Sequence, residues 1–506
     1  MSSNPRVTAA IFSADTGVKL NAHKLLITGQ KTASGTATSG SLQTQIITES
    51  QVNELFGRKS HIAKKLRAVL KNLSISRIKP QVDAIALADN GTTKASGTVT
   101  FTGPATENGI LTVYVDSKIN GLYSISIENG DSATVIAGKL VALVTANANA
   151  NYTAANVAGV VTITAENAGT NGNTIRLGFK GSVVGVTVTK SGEYLTGGAT
   201  DPVLTGLFDS VDSIQYQTID YPSTWNLTTL ANFTEPRFNV ENDILYSQGF
   251  TFKVDTYSNL NTLLDGLNYK TVCVGFDKLG GGIFENPDVI NSQFCAYRGL
   301  SFTDGANVSS INMGNGQETG GATWASLPYF NMPFINLPVI PQGENFSKEE
   351  LEELEKSGGW TFENNDANTR LLLRTVKSTY KTNDLGDPDP TFGFLNYVDS
   401  LTISREYFFK GIKQTYPRHR ITNALTAPAG AKAIVTKASF LGTLGQFYDE
   451  LVKLAIFEPN RKLEFLERAG DTISFDLLNG KITADVLAPI TTQLREVILS
   501  FIPKFN

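Results

Sequence analysis

The sequence predicts a multidomain α/β (α+β) chain: an α/β core, a mostly β domain inserted into it, and a C-terminal α+β domain with open sheet edges. Three observations carry this. The 506 residues exceed the roughly 250–300 at which one hydrophobic core stops growing. Near the start, apolar runs and helical periodicity alternate at βαβ spacing. Over residues 91–202 the composition turns to Gly, Thr, Ala, Asn and Val, in short strands between turn signals.

HKLLITGQ (23–30) reads as a buried strand and KTASGTATSGS as a polar loop. The pattern then predicts a helix over 49–56, stopped by Gly57. Ser60 is placed to cap a second helix with the stripe Ile62, Leu66, Val69, Leu70 and Leu73. Lys59, Lys64, Lys65, Arg67 and Lys71 fall on its other face, expected to be solvated or subunit-facing. QVDAIAL (81–87) is the next buried strand. In the inserted stretch, TVTF, ILTVYV, YSISI, VVTITA, TIRLGF and VGVTVT are strands. Asn-Gly pairs at 108–109, 120–121, 129–130 and 171–172 are turn signals. Residues 132–147 carry Val135, Ile136, Leu140, Leu143 and Val144 at helical spacing.

The α/β pattern resumes with IQYQTIDYP, TVCVGF and PFINLP, interrupted by the Gly-rich loops KLGGGI and MGNGQETGG. Ser347 with Glu350 forms a capping box before a short acidic helix backed by Leu351 and Leu354. Residues 370–381 read as a strand and DLGDPDP as a proline-stiffened loop. Phe440, Leu441, Leu444, Phe447, Tyr448, Leu451, Leu454 and Phe457 define an amphipathic helix ended by Pro459. TISFDLL, KITADVLAPI and TQLREVILSF are three strand-like runs whose edges invite another chain.

Catalytic chemistry finds no footing. His23, His61 and His419 show no metal-ligand spacing, and Gly-x-Ser-x-Gly is absent. Lys139 follows Gly138 as in a phosphate loop, but Leu140 replaces the required hydroxyl residue inside a predicted helix. Asp384, Asp387 and Asp389 lack the twelfth-position glutamate of a calcium loop. Cys273 and Cys295 form no Cys-x-x-Cys pair, and Cys273 reads as a buried inert thiol. No cofactor is expected. The net charge of −4 argues against a nucleic-acid partner. Residues 401–506 nevertheless hold 14 Lys+Arg against 10 Asp+Glu, which leaves the rest of the chain at −8. This mildly basic end could favour an acidic partner surface. No run of about 18 apolar residues suggests a membrane span, and the N-terminus does not read as a secretory signal.

Taken in order, these segments resemble the tail sheath proteins of contractile-tailed phages, the Mu-like branch in particular, over nearly the whole chain. The resemblance rests on LLITGQKTASGTATSG, ESQVNELFGRKSHIAK and AIALAD, then GTVTFTGPATENGILTVYV and VVTITAENAGTNGNTIRL. TVKSTYKTNDLGDPDPTFGFLNYVDSLTISREYF, TYPRHRIT, AKAIVTKASF and TQLREVILSF follow. Residues 220–345 match least. The resemblance implies a non-enzymatic virion subunit, assembled in the host cytoplasm. It would form hexameric rings stacked around a tail tube and contract from a metastable extended state. Implied partners are further copies of itself, the tail tube protein, and baseplate and tail terminator proteins. No direct membrane insertion is implied.

On this reading residues 1–20 are an extended linking arm, 21–90 and 203–400 the sheath core, 91–202 an outer domain and 401–506 a tube-facing assembly domain. The expected inter-subunit linking strands comprise Val7, Thr8, Ala9, Ala10, Ile11 and Phe12, and Leu494, Val497, Ile498, Leu499 and Phe501. Phe440, Leu444, Phe447 and Lys453 are the expected tube-facing residues. The alternative is an adhesin-like host- or glycan-binding surface module, suggested by the composition of the insert.

Overall fold

The computed structural model describes residues 21–76, 79–238, 246–303, 329, 331–334, 336–424, 426–427 and 432–491. The chain opens with β1 (Lys24–Lys31), β2 (Leu42–Gln43), α1 (Glu49–Phe56), α2 (His61–Leu73) and β3 (Gln81–Ala88). The β-rich stretch holds β4 (Lys94–Phe101), β5 (Gly109–Val115), β6 (Ser117–Ile127), α3 (Ala133–Ala146), β7 (Tyr152–Val157), β8 (Val160–Ala168), β9 (Leu177–Lys180) and β10 (Val188–Lys190). Then come β11 (Thr218–Asp220), α4 (Leu227–Thr234), β12 (Gly249–Asp255), α5 (Tyr257–Asp265), β13 (Val272–Lys278) and α6 (Pro287–Thr303). They are followed by β14 (Pro333–Phe334), α7 (Lys348–Lys356), β15 (Gly359–Trp360), β16 (Phe362–Asn364) and β17 (Leu371–Leu373). The last part comprises α8 (Leu395–Thr415), β18 (Arg420–Ile421), β19 (Ile434–Val435), α9 (Lys437–Lys453), α10 (Lys462–Thr472), β20 (Ser474–Asp476) and β21 (Lys481–Thr483).

The central sheet runs β15-β13-β12-β11-β1-β3-β2, parallel except for the edge strand β2. Its strands are apolar on both faces, as a sheet covered on both sides requires. Leu25 and Ile27 of β1 point into a core with the α2 stripe and α6; Leu26 points into a second core with Leu230, Leu260, Leu264, Leu351 and Leu354 of α4, α5 and α7. The local start signals hold. Ser60 caps α2 and Ser347 with Glu350 closes a capping box on α7, as expected; the structure adds caps at Thr48 on α1 and Ser132 on α3. Gly57 ends α1 at φ 82°, a left-handed conformation in which a side chain would be strained. Helix α6 had no periodicity to betray it, because all 17 of its residues are buried and a helix enclosed on every side has no polar face.

Residues 94–190 pack around a core of their own. The sheets β10-β4-β8-β7 and β6-β5-β9, with α3, enclose Val99, Leu111, Val113, Ile125, Ile136, Leu140, Val161 and Ile163. β6 alternates buried and exposed residues from Gly121 to Ile127. The Asn120-Gly121 pair lies inside β6 and makes no turn. A Cβ on Gly121 would sit 1.8 Å from the Val115 carbonyl, so the glycine permits close approach at a register shift in the β5–β6 ladder.

This β unit stands at the carboxyl ends of the parallel strands, where Gln30, Asp89 and Thr224 meet it. Helix α8 packs at their amino ends, through Asn21 and Arg298. The α/β sheet therefore separates two units that have no strand in common with it.

Other expectations need correction. Of residues 370–381 only Leu371–Leu373 is strand, paired with β14 and β16; the rest is held as a loop by bonds such as Thr379 N to Val272 O. The cations of α2 are not all on a solvated face; of them only Lys71 is exposed. Lys65 is wholly buried, and Lys64 pairs with Asp116 at 2.9 Å. Of the three C-terminal runs, the first two form the hairpin β20–β21 and the third lies outside the described residues from 492 on.

Candidate functional site

Strand order reverses between β1 and β11, and open α/β sheets bind ligands in the crevice at the carboxyl ends beside such a reversal. Here that crevice is plugged. Asn171 donates to the Gln30 side chain, Gln30 Nε2 donates to the Ala168 carbonyl at 2.8 Å, and Thr224 Oγ1 reaches Asn171 at 2.5 Å. The β-rich unit occupies the position a ligand would take.

Beneath the plug lies a sealed polar cluster. Lys65 Nζ is 3.1 Å from Asp220 and donates to the Thr28 carbonyl at 2.8 Å. His61 Nε2 meets Asp288 at 2.7 Å, and Ser223 N donates to the same carboxylate at 2.6 Å. Ser292 Oγ donates to Asp220 at 2.5 Å. Asp, His and Ser side chains do gather here, a grouping the sequence did not reveal, but the serine hydrogen-bonds a carboxylate instead of the histidine. None of Lys65, Asp220, Asp288 or Ser292 has measurable exposure. A nucleophile needs a route for substrate as well as a base within hydrogen-bond reach; this sealed cluster offers no such route. Burial holds the His61 ring below its usual pKa, against the pull of Asp288. The cluster ties α2 and α6 to β11.

The seam between the β-rich unit and the core is built on the loop after β13. Arg176 donates to the carbonyls of Gly281 and Gly280 at 2.6 and 2.7 Å. Phe284 is clasped by the Arg176 guanidinium at 4.6 Å, Lys118 at 5.2 Å and the Tyr114 ring at 5.8 Å. Ser117 Oγ donates to Glu285 at 2.6 Å, and Asn286 Nδ2 to Asp116 at 2.8 Å. Gly282 at φ 64° lets the loop turn over Asp277, which accepts from Ile283 N. The sequence marked KLGGGI only as an interruption; that three glycines form a socket depended on a β unit over a hundred residues upstream.

Two acids in this seam titrate unusually. Burial pushes the carboxyls of Asp277 and Glu285 up to about 7. The nearby charges are Arg176 for Asp277, and Asp116 and Lys64 for Glu285. Unfolded, both groups titrate near 4. Between about pH 4 and pH 7 these two carboxyls therefore bind more protons in the folded chain than in the unfolded one. Their contribution to stability is then fully present below about 4, falls as pH rises to about 7, and is flat above. Glu285→Gln is expected to raise the melting temperature by a few degrees at pH 8, leave it unchanged at pH 4 and flatten the slope between. Parallel pH profiles for the two proteins would refute the assignment.

Of the expected functional residues, Val7 to Phe12 and Leu494 to Phe501 lie outside the described residues, but their roots do not. Asn21 is latched to α8: its backbone N donates to Glu406 at 2.5 Å and Lys410 donates to its side chain at 2.6 Å. At the other end Ile490 pairs antiparallel with Phe457, Thr491 N donates to Ile456 O at 2.9 Å, and Phe457 lies 6.4 Å from Phe408 of α8. Both ends of the described chain thus converge on α8. Phe440, Leu444 and Phe447 do not present a surface. They are 3–7% exposed and pack with Tyr407, Tyr448, Leu451 and Phe465, because their stripe is what joins α9 to α8 and α10. Lys453 alone of the four is outward, 2.8 Å from Glu450. Cys273 is buried, and burial pushes its thiol well above the ordinary value. Among the described residues no three His, Cys, Asp or Glu gather as a metal site, and no helix is long and apolar enough to cross a membrane.

The chain is 24% identical over 460 residues to the Mu-like prophage FluMu tail sheath protein of Haemophilus influenzae, covering 88% of this chain and 87% of that one. No family model matches it. Two solved structures align along most of the chain. A sheath tail protein of Desulfitobacterium hafniense has a TM-score of 0.44 and 13% identity, covering 92% of this chain and 90% of that one. A sheath tail protein of Listeria innocua has a TM-score of 0.46 and 12% identity, covering 94% of each.

Proposed function

We propose that this chain is the structural subunit of a contractile phage tail sheath, a virion component with no enzymatic role. The observation that carries the reading is the similarity to a tail sheath protein over 460 residues and nearly nine-tenths of both chains. Such a subunit would stack in hexameric rings around the tail tube and meet the baseplate and tail terminator at the ends of the stack.

The geometry supports linkage through the chain ends. The first leaves from α8 and the second from the segment after α9 that packs on α8, and among the described residues the hairpin β20–β21 has no strand on either edge. A free edge is a template for a strand from another copy. The division into arm (1–20), core (21–90 and 203–400), outer unit (91–202) and assembly unit (401–506) belongs to the same proposal. In its favour, the β-rich unit and α8 lie at opposite ends of the parallel strands. A tube contact by α9 would use its outward side, with Lys453, since its apolar stripe is spent on the core. Contraction would then be the relaxation of a kinetically trapped lattice, with the links kept while the cores turn.

Electron microscopy of the chain alone, and with its tube protein, tests this. Hollow ring-stacked tubes are expected. Chains lacking residues 1–20 or 492–506 should fold yet give single rings or monomers. Wild-type chain that never forms tubes, with or without the tube protein, would refute the sheath reading. Normal tubes from both truncations would refute the linking strands alone.

A further inference from the structure

Residues 407–448 contain no Asp or Glu, and the fold gathers their cations at one corner. Arg420 N bonds to the Ala433 carbonyl at 2.9 Å, which brings Lys432 beside Arg420. Tyr416 OH bonds to the Ser439 carbonyl at 3.2 Å and stacks edge-on with His419 at 5.2 Å, which brings Arg418 to the start of α9 and Lys437. Lys413, Arg418, Arg420, Lys432 and Lys437 are all exposed, around the exposed Pro417, Ala433 and Ala438. None of these five cations enters an ion pair among the described residues, although most other exposed charges of α9 and α10 do.

The complementary feature is the loop over residues 382–390 on the core. It is stiff: Asn383 N bonds to the Asp387 carbonyl at 2.9 Å, and Asp389 N to the Lys381 carbonyl at 2.8 Å. The Asn383 side chain accepts from the backbone of both Leu385 and Asp387, and Thr382 and Asn268 anchor the base. At its tip Leu385 is 86% exposed, between Asp384 and Asp387, which are exposed and form no ion pair among the described residues. A large apolar side chain held rigidly in water between two unpaired carboxylates is preorganised for a partner, since little entropy remains to be lost on binding.

We propose that the loop tip Asp384–Leu385–Asp387 of one copy of this chain docks on the basic corner Lys413, Arg418, Arg420, Lys432 and Lys437 of the next copy. The occupant of the corner is a second copy because this chain itself presents the matching surface: acid, apolar tip, acid, against cations around small apolar residues. The two patches are different surfaces, so the contact is heterologous. Repetition of such a contact generates rings or helical stacks and not closed two-fold dimers. Ionic attraction also makes it the salt-sensitive part of the lattice.

This rests on the proposed assembly role, and charge reversal separates the two. Asp384→Lys/Asp387→Lys, and separately Arg418→Asp/Arg420→Asp, are made in the full chain. All four sites are exposed, and thermal melting confirms folding. Each pair is expected to cut pelletable polymer at least tenfold. The four changes combined should restore it, and wild-type assembly should weaken as salt rises. Normal assembly by either reversed chain overturns the contact, as does failure of the combined chain to recover. Wild-type chain that stays monomeric by sedimentation at every ionic strength, with or without the tube protein, overturns the assembly role itself.

Discussion

Asp399→Ala is expected to destabilise the chain by about 3–5 kcal/mol, the range for removing one partner of a buried ion pair. Asp399 on α8 accepts from Arg298 of α6 at 2.6 Å and from Tyr329 OH at 2.8 Å. Arg298 is fully buried, with further bonds to the Gln217 carbonyl at 2.8 Å and Gln248 at 3.0 Å. Its charge survives burial because Asp399 stands opposite. Without the carboxylate a guanidinium is left in the interior facing only neutral groups. Since a domain is stable by only about 5–15 kcal/mol, much of the margin would go, and first where α8 joins the core. Urea unfolding checks the size. The double replacement Arg298→Met/Asp399→Leu removes both charges and should cost far less than the single change. Equal losses from the single and double variants would show that packing, not the ion pair, holds this joint.

Phe284→Ala should loosen the seam between the β-rich unit and the core. Phe284 is 5% exposed, and truncating a buried phenylalanine costs about 3–5 kcal/mol. Its two cation contacts add about 0.5–2 kcal/mol. A Cβ on Gly178 would come within 2.8 Å of the Phe284 ring, so the ring fills space the β unit was shaped to leave. The expected readout is selective: limited proteolysis near residues 89–91 and 200–202 should accelerate, while unfolding of the central sheet shifts little. Phe284→Leu keeps most of the buried volume and should lie between. Unchanged cleavage in the alanine variant would mean that Arg176 and the Asp116 network seat the unit without the ring.

The sequence alone determined many of the features that are written in a short window. The helix of residues 49–56 and its glycine stop, the Ser60 and Ser347 caps, the alternation of the inserted strands and the stripe of α9 are local. Each depends on neighbours within one or two turns of chain. A resemblance carried by segment order was legible for the same reason, since order survives where single motifs do not. The tertiary structure alone decided where those surfaces went. The stripe Phe440, Leu444 and Phe447 is equally apolar whether it meets a partner or its own core; contacts with Tyr407 and Phe465 made it core. Lys65 reads as one of five cations on a helix, and only β11, some 150 residues later, supplies the Asp220 that buries it. α6 left no periodic trace because burial on all sides removes the polar face that makes a helix visible. Local patterns report the hydrogen-bonding and polarity needs of a segment. Which distant segment meets those needs is set by packing, which sequence spacing does not encode.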